Sequence, residues 1–305
     1  MKINLSVEIG RLKLKNPVMV ASGTFGYAEE FKDFINLKSL GAVVTKTLTL
    51  KPRQGNLPPR TCETPAGMLN SIGLENPGLG IFIKDKLPFL RKIGIPIIMS
   101  VASEEEPGEF LELVERLEKL DEIQGIELNI SCPNVLGKKG LLSQDADATY
   151  KIVRDVRNIT KKTLITKISP NVTFISEIAK ASEDAGSDAV SLINTLSGMS
   201  IDINRRKSKI SALTGGLSGP AIRPVAVRMV WEVFNKIKIP IIGMGGIMDA
   251  QSALEFFIAG ASAISIGTAN FVDPGSSIEV LKGLKKYFSE NKIKSIKELI
   301  GSLIV

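Results

Sequence analysis

The stretch IPIIGMGGIMDAQSALEFFIAGASAISIGTA (239–269) contains two short apolar runs separated by one segment with helical spacing. The runs IPIIGMGG (239–246) and AISIGTA (263–269) are almost continuously apolar, as the strands of covered parallel sheets are. Asp249 is of a type that caps the helix between them. A strand, a helix and a second strand in this order predict one unit of parallel β/α structure.

The same alternation extends through the rest of the chain. Six further runs of this kind are PVMVAS (17–22), AVVTKT (42–47), IPIIMSV (95–101), GIELNIS (125–131), LITKIS (164–169) and AVSLINT (189–195). Eight such strands, each followed by a helix, predict a TIM (β/α)₈ barrel rather than an open doubly wound sheet. Because 305 residues fit one such barrel, we expect a single domain over residues 1–305.

Helix signals lie between these runs. We expect helices over 107–120 and 174–186, the second capped by Asn171, and a helix that starts at Pro220 and runs to about residue 237. Ser295 is expected to start a final helix. Three segments, 48–78, 132–144 and 196–219, are longer than a minimal barrel needs. Each follows a strand, so all three should gather at the C-terminal rim, where barrel active sites lie.

Composition excludes several kinds of site. The chain has no histidine and only two cysteines, which rules out His-dependent nucleophile triads, imidazole metal ligands and an iron–sulfur cluster held by this chain alone. We therefore predict no metal site. The net charge of +7 favours anionic ligands or an acidic partner. No aromatic residues interleave the basic clusters, so we expect no nucleic-acid surface. No apolar stretch could span a bilayer and the N-terminus lacks a signal-peptide core, so we expect a cytoplasmic protein without a membrane surface.

Glycines end the last two predicted strands. GMGGI (243–247) and SIGTA (265–269) stand where TIM barrels commonly bind a phosphate with backbone N–H groups. GGLSGPAI (215–222) adds a third glycine-rich loop. Glycine lets a backbone approach a ligand closely because no Cβ intervenes. Together these loops predict a phosphorylated ligand.

Two lysines and one cysteine add chemistry to the same rim. Lys46 and Lys167 interrupt apolar strands, where a charged side chain is costly unless an opposite charge meets it. They favour an anionic ligand or a cofactor that becomes anionic, such as a reduced flavin. Cys132 follows a strand in a loop with polar neighbours, which favours a functional thiol over a buried one. Cys62 has no comparable setting.

In their order along the chain, PAGMLNSIGLENPG (65–78), NISCPN (129–134), INT (193–195), GGLSGPAI and GMGGI resemble the motifs of class 1 dihydroorotate dehydrogenases, over nearly the whole chain. The first of these motifs is similar to that of the 1B subclass, in which an FMN barrel pairs with an electron-transfer subunit. The resemblance implies oxidation of dihydroorotate to orotate in pyrimidine biosynthesis. Cys132 would remove the C5 proton while hydride passes from C6 to FMN.

The resemblance also implies the remaining site residues. Substrate would contact Lys46, Asn70, Ser71, Ile72, Gly73, Leu74, Asn129, Asn134, Asn194 and Thr195. FMN would contact Ser22, Lys46, Thr47, Ser100, Asn129, Lys167, Ile193, Gly219, Gly245, Gly246, Gly267 and Thr268. Ser100 departs from the family pattern, since relatives typically carry Asn at this strand end.

The resemblance implies a partner as well. The chain has no G-x-G-x-x-G dinucleotide fingerprint, so access to NAD⁺ would come from an iron–sulfur flavoprotein subunit carrying FAD and [2Fe-2S]. A homodimer of barrels with two partner chains, a heterotetramer, is the implied assembly. Two alternatives are a related flavin barrel acting on another dihydropyrimidine, including a tRNA dihydrouridine synthase, and a non-catalytic phosphate-binding barrel. The tRNA dihydrouridine synthase should carry an added RNA-binding domain, for which a continuous barrel of 305 residues leaves no room. A non-catalytic barrel needs no base beside a flavin site.

Overall fold

A computed structural model describes residues 3–103, 108–131 and 142–304. Eight parallel strands close into one barrel, in chain order around the ring. The strands are β1 (Val18–Val20), β2 (Ala42–Val44), β3 (Ile97–Val101), β4 (Gly125–Asn129), β5 (Thr163–Ile168), β6 (Ala189–Leu192), β7 (Ile241–Gly243) and β8 (Ala263–Ile266). The predicted TIM barrel is confirmed, and each predicted apolar run overlaps one strand.

Pairing between β8 and β1 closes the ring, with Ile264 opposite Val18 and Ile266 opposite Val20. The strand residues are buried almost without exception because helices cover the outside and side chains fill the inside. The antiparallel hairpin Val7–Ile9 and Leu12–Leu14 buries its alternate apolar residues in the same core. The alternating N-terminal sequence therefore forms this hairpin.

The outer helices follow seven of the eight strands. They are Gly78–Ile81 continued by Phe82–Lys86 and Leu87–Leu90, then Gly108–Glu118, Ala146–Ile159, Ile175–Asp184, Arg223–Phe234, Ala250–Ala259, Ala269–Val272 and Ser276–Glu290. The expectation of a helix after every strand is wrong for β1, which is followed by two short 3₁₀ turns, Glu29–Phe31 and Leu37–Ser39. None of the helices described is long and apolar enough to cross a membrane.

The predicted helix starts have mixed outcomes. Asp249 caps its helix as expected, in a reciprocal capping box with Ser252. Asn171 is not a cap: its amide instead donates to Ser169 Oγ at 3.0 Å and to the Thr195 carbonyl at 3.1 Å, and so joins the loops after β5 and β6. A longer-range contact has replaced the local one.

Two other starts lead into 3₁₀ structure. Pro220 opens a 3₁₀ turn, Pro220–Ile222, and the α-helix follows from Arg223. Ser295 forms a capping box, but only the 3₁₀ turn Ile296–Glu298 follows it.

Two of the three long segments form a sheet above the rim. The antiparallel strands lie in the order Leu196–Gly198, Gly215–Ser218, Gly67–Asn70 and Thr61–Thr64. A small hairpin, Ile201–Asp202 with Lys207–Ser208, extends from it. We call this four-stranded layer the rim sheet. It places residues of the second and sixth strand-to-helix connections side by side above the barrel mouth. Of the third segment, the 3₁₀ turn Leu142–Gln144 is described.

Candidate active site

A cavity of about 460 Å³ opens at the carboxyl ends of the barrel strands, below the rim sheet. Its volume lies in the range of about 300–1,000 Å³ usual for small-molecule sites. Eighteen of the residues predicted from the sequence line it together: Ser22, Lys46, Thr47, Asn70, Ser71, Ile72, Gly73, Leu74, Asn129, Lys167, Ile193, Asn194, Thr195, Gly219, Gly245, Gly246, Gly267 and Thr268. Residues far apart in sequence thus form one concave surface.

One described residue of the prediction is not part of this surface. Ser100 is fully buried, and its hydroxyl lies 3.0 Å from that of Thr47 rather than on the cavity wall. Cys132 and Asn134 fall outside the described residues.

Positive charge predominates in the described wall of the cavity. Lys46 and Lys167 both face it, and no Asp or Glu is among the described residues that line it. Burial lowers the pKa of Lys46, as does Arg60 to a smaller extent, while Glu75 acts in the opposite direction. Two cations without a carboxylate in the wall suit an anionic ligand.

Lys167 has two polar neighbours inside the barrel. Its ammonium donates to Ser22 Oγ at 3.2 Å and lies 3.6 Å from Glu127 Oε1. Both charged residues are almost fully buried. The lysine is therefore held between the end of β1 and an acid on β4.

Amide side chains line the side of the cavity below the rim sheet. Asn194 donates to Asn129 Oδ1 at 3.2 Å, and Asn70 donates to the Gly216 carbonyl at 3.1 Å. These bonds orient the amides, and each group has more donors and acceptors than these bonds use. Such a surface can recognise a planar ligand with alternating N–H and C=O groups.

Glycine loops form another part of the cavity wall. Gly219, Gly245 and Gly246 have φ values of 95°, 129° and 77°, which side chains rarely adopt. A Cβ on Gly246 would lie 2.8 Å from the Gly219 carbonyl oxygen, so two of these loops pack backbone against backbone. Thr268 donates to Ser218 Oγ at 2.8 Å and ties the last barrel loop to the rim sheet.

The sequence model of the family described as dihydroorotate dehydrogenase matches residues 4–288. The chain belongs to the dihydroorotate dehydrogenase family. Its relatives include proteins of Geotalea uraniireducens (53% identical over 305 residues), Thermoanaerobacter pseudethanolicus (52% over 305) and Geobacter sulfurreducens (50% over 304). All three alignments cover at least 99% of both chains, and all three relatives are named dihydroorotate dehydrogenase B (NAD(+)), catalytic subunit.

Two polar residues inside the barrel were not predicted from the sequence. Ser265 on β8 lines the cavity, and its buried hydroxyl has no hydrogen-bond partner among the residues described. Glu127 on β4 is buried behind Lys167. Both interrupt apolar runs, AISI and GIEL, just as the two lysines do. The same criterion, a polar residue within a buried strand, would have found them.

Proposed function

We propose that this chain oxidises dihydroorotate to orotate with FMN as its bound cofactor, and that a partner subunit passes the electrons to NAD⁺. The observation that carries the proposal is the single cavity in which two lysines, a group of amide side chains and three glycine loops meet. The names of the relatives support the same reaction, the same acceptor and the need for another subunit. We propose one FMN-binding domain over residues 1–305.

The residues present fit FMN. Backbone N–H groups of the loops at Gly219, Gly245, Gly246 and Gly267 suit its phosphate, because all four residues line the cavity and the absence of a Cβ at Gly267 leaves open space beside the backbone. Ser265 offers a buried hydroxyl that no other residue in the described part of the chain engages in a hydrogen bond. Lys167 suits the pyrimidine side of the ring system, where negative charge gathers on reduction. Ser22, Thr47, Asn129, Ile193 and Thr268 would make the remaining contacts.

FMN supplies the hydride acceptor for the substrate C6 hydrogen. The chain's own residues bind and orient the substrate and remove a proton. The amides of Asn70, Asn129 and Asn194, with Thr195, would hold the pyrimidine edges, and Lys46 would attract the substrate carboxylate. Ser71, Ile72, Gly73 and Leu74 would close over it.

Cys132 would take the C5 proton as a thiolate, and Asn134 would contact the substrate beside it. The thiol's ordinary pKa is near 8.5, so forming the thiolate at pH 7 costs about 2 kcal/mol. A nearby ammonium such as Lys46 would offset part of this cost. Ser131, the residue before Cys132, lines the cavity, which supports this role.

The electrons must then leave the barrel. Two cysteines cannot hold a [2Fe-2S] cluster, so we propose a partner chain that carries this cluster and FAD. The proposed assembly is a heterotetramer built on a homodimer of this chain, located in the cytoplasm.

The visible spectrum of the chain purified alone tests the proposal. It should show bound flavin, and anaerobic dihydroorotate should bleach that flavin. NAD⁺ reduction should require the co-expressed partner. A colourless protein that gains no flavin spectrum with added FMN would contradict the cofactor. A flavin spectrum that dihydroorotate leaves unchanged would contradict the substrate.

A further inference from the structure

A buried acid lies directly behind one of the two cavity lysines. Glu127 is 1% exposed and lies on β4, next to the strand that carries Lys167. Its Oε1 is 3.6 Å from the ammonium of Lys167, and its Oε2 accepts a hydrogen bond of 3.0 Å from Ser191 on β6. Oε1 has no hydrogen-bond partner among the residues described.

Burial on this scale is costly for both charges. A buried carboxylate needs an opposite charge and hydrogen bonds to compensate for lost hydration. Within residues 3–103, 108–131 and 142–304, Glu127 has one ion pair at 3.6 Å and one hydrogen bond. Neutral side chains of similar size are often as stable at such positions. Fold stability alone therefore does not account for an acid here.

The two partners of this ion pair differ in their position relative to the cavity. Lys167 lines the cavity, whereas Glu127 is not among its lining residues. A ligand in the cavity therefore meets the ammonium first, with the carboxylate behind it. The carboxylate weakens the positive potential that the ammonium projects, because opposite charges at this distance partly cancel.

We propose that Glu127 is a positioning residue that sets how strongly Lys167 stabilises negative charge on the cofactor. This inference rests on the proposed function. Uptake of two electrons and one proton leaves FMN with one more negative charge, and a nearby cation favours that state. By balancing Lys167, Glu127 keeps the midpoint potential of bound FMN lower than the lysine alone would.

The test is the two-electron midpoint potential of FMN on the full chain, measured by spectroelectrochemistry without substrate. Glu127→Gln keeps the shape of the side chain and removes its charge. Relative to the unsubstituted chain, we expect the variant to favour reduced over oxidised FMN by about tenfold. This change corresponds to a rise of about 30 mV in the midpoint potential of bound FMN. An unchanged or lower potential would overturn the proposal.

Matched variants separate charge from packing. Ser191→Ala removes the hydrogen bond to Glu127 but keeps both charges, and Glu127→Asp keeps the acid. Each of these two variants should change the ratio of reduced to oxidised FMN by less than about threefold. A shift in Ser191→Ala as large as in Glu127→Gln would assign the effect to packing and overturn the proposal. If Glu127→Gln does not fold, Glu127→Met carries the same expectation, because it also removes the charge.

The outcomes also separate this inference from the proposed function. If the unsubstituted chain binds no FMN, the proposed function itself fails. If FMN binds, dihydroorotate bleaches it, and the neutral variants keep the original potential, only the role of Glu127 fails.

Discussion

Lys46 and Lys167 line the same cavity, but their surroundings differ. Lys167 has Glu127 at 3.6 Å and Ser22 at 3.2 Å. Burial lowers the pKa of Lys46. An anionic ligand would therefore favour the charged form of Lys46, and its apo form carries a desolvation cost.

Replacing Lys46 with Met should stabilise the apo-protein and weaken ligand binding. The pKa of Lys46 is lower in the folded than in the unfolded chain, so between that pKa and the ordinary value of 10.5 the unfolded chain binds more protons. The amount by which Lys46 lowers the free energy of unfolding therefore decreases as pH rises through this interval. The gain should be present in full at pH 7, and it should vanish above pH 10.5, where the lysine is neutral in both the folded and the unfolded state.

Thermal unfolding of the apo-protein at pH 7 and above pH 10.5 measures this stabilisation. Lys51→Met, a substitution of an exposed lysine, is the control. FMN should bind about tenfold more weakly to Lys46→Met, which corresponds to about 1.4 kcal/mol. Equal unfolding temperatures for the Lys46 variant and the unsubstituted chain at pH 7 would contradict the prediction.

Substituting the proposed base should separate binding from chemistry. Cys132→Ser should bind FMN normally and oxidise dihydroorotate at least about 100-fold more slowly, with improvement as pH rises, because an alcohol is a much weaker acid than a thiol. Cys62→Ser is the matched control, since Cys62 lies in the rim sheet away from the cavity wall. Turnover of Cys132→Ser close to that of the unsubstituted chain at neutral pH would remove this cysteine from the mechanism.

At the scale of elements, the loops after β7 and β8 differ in how tightly they are packed. Gly246 has φ 77°, and an added Cβ would lie 2.8 Å from both Arg223 Cβ and the Gly219 carbonyl oxygen. Gly267 has no positive φ, and its added Cβ would meet only Ala21 Cβ at 3.7 Å. One glycine is therefore required by the fold, while the other leaves space that a ligand can use.

An alanine at each position tests this difference. Gly246→Ala should destabilise the apo-protein by about 1–3 kcal/mol because of backbone strain and crowding. Gly267→Ala should leave apo-protein stability within about 0.5 kcal/mol but weaken FMN binding, because the new methyl group occupies the approach of the ligand. Thermal unfolding and FMN titration of both variants measure this. An unchanged FMN affinity in Gly267→Ala would exclude close backbone approach at that loop.

At the scale of the whole molecule, the cavity joins elements from both ends of the chain. Its wall runs from Ser22 after β1 to Thr268 after β8, and the rim sheet covers it. A ligand bound there contacts loops that follow different strands and are otherwise connected mainly by the barrel itself. Ligand binding should therefore stabilise the whole fold.

FMN should raise the unfolding temperature of the apo-protein more than riboflavin does at equal concentration. At a thousandfold excess over its Kd, FMN contributes about 4 kcal/mol, which amounts to several degrees. Riboflavin lacks the phosphate that the glycine loops are proposed to bind. Equal shifts with both ligands, measured by differential scanning fluorimetry, would contradict a phosphate site at these loops.

The sequence by itself determined the eight strands, most of the helices and the lysines and glycines at the strand ends, because each depends on local spacing. Only the tertiary structure decided that Glu127 lies beside Lys167, that Asn171 joins two loops and that two long segments pair into the rim sheet. Barrel closure sets which inward side chains meet, and strands distant in sequence determine that register. Hydrophobic periodicity identifies a strand and its buried faces, but it does not identify which residue of another strand each side chain contacts.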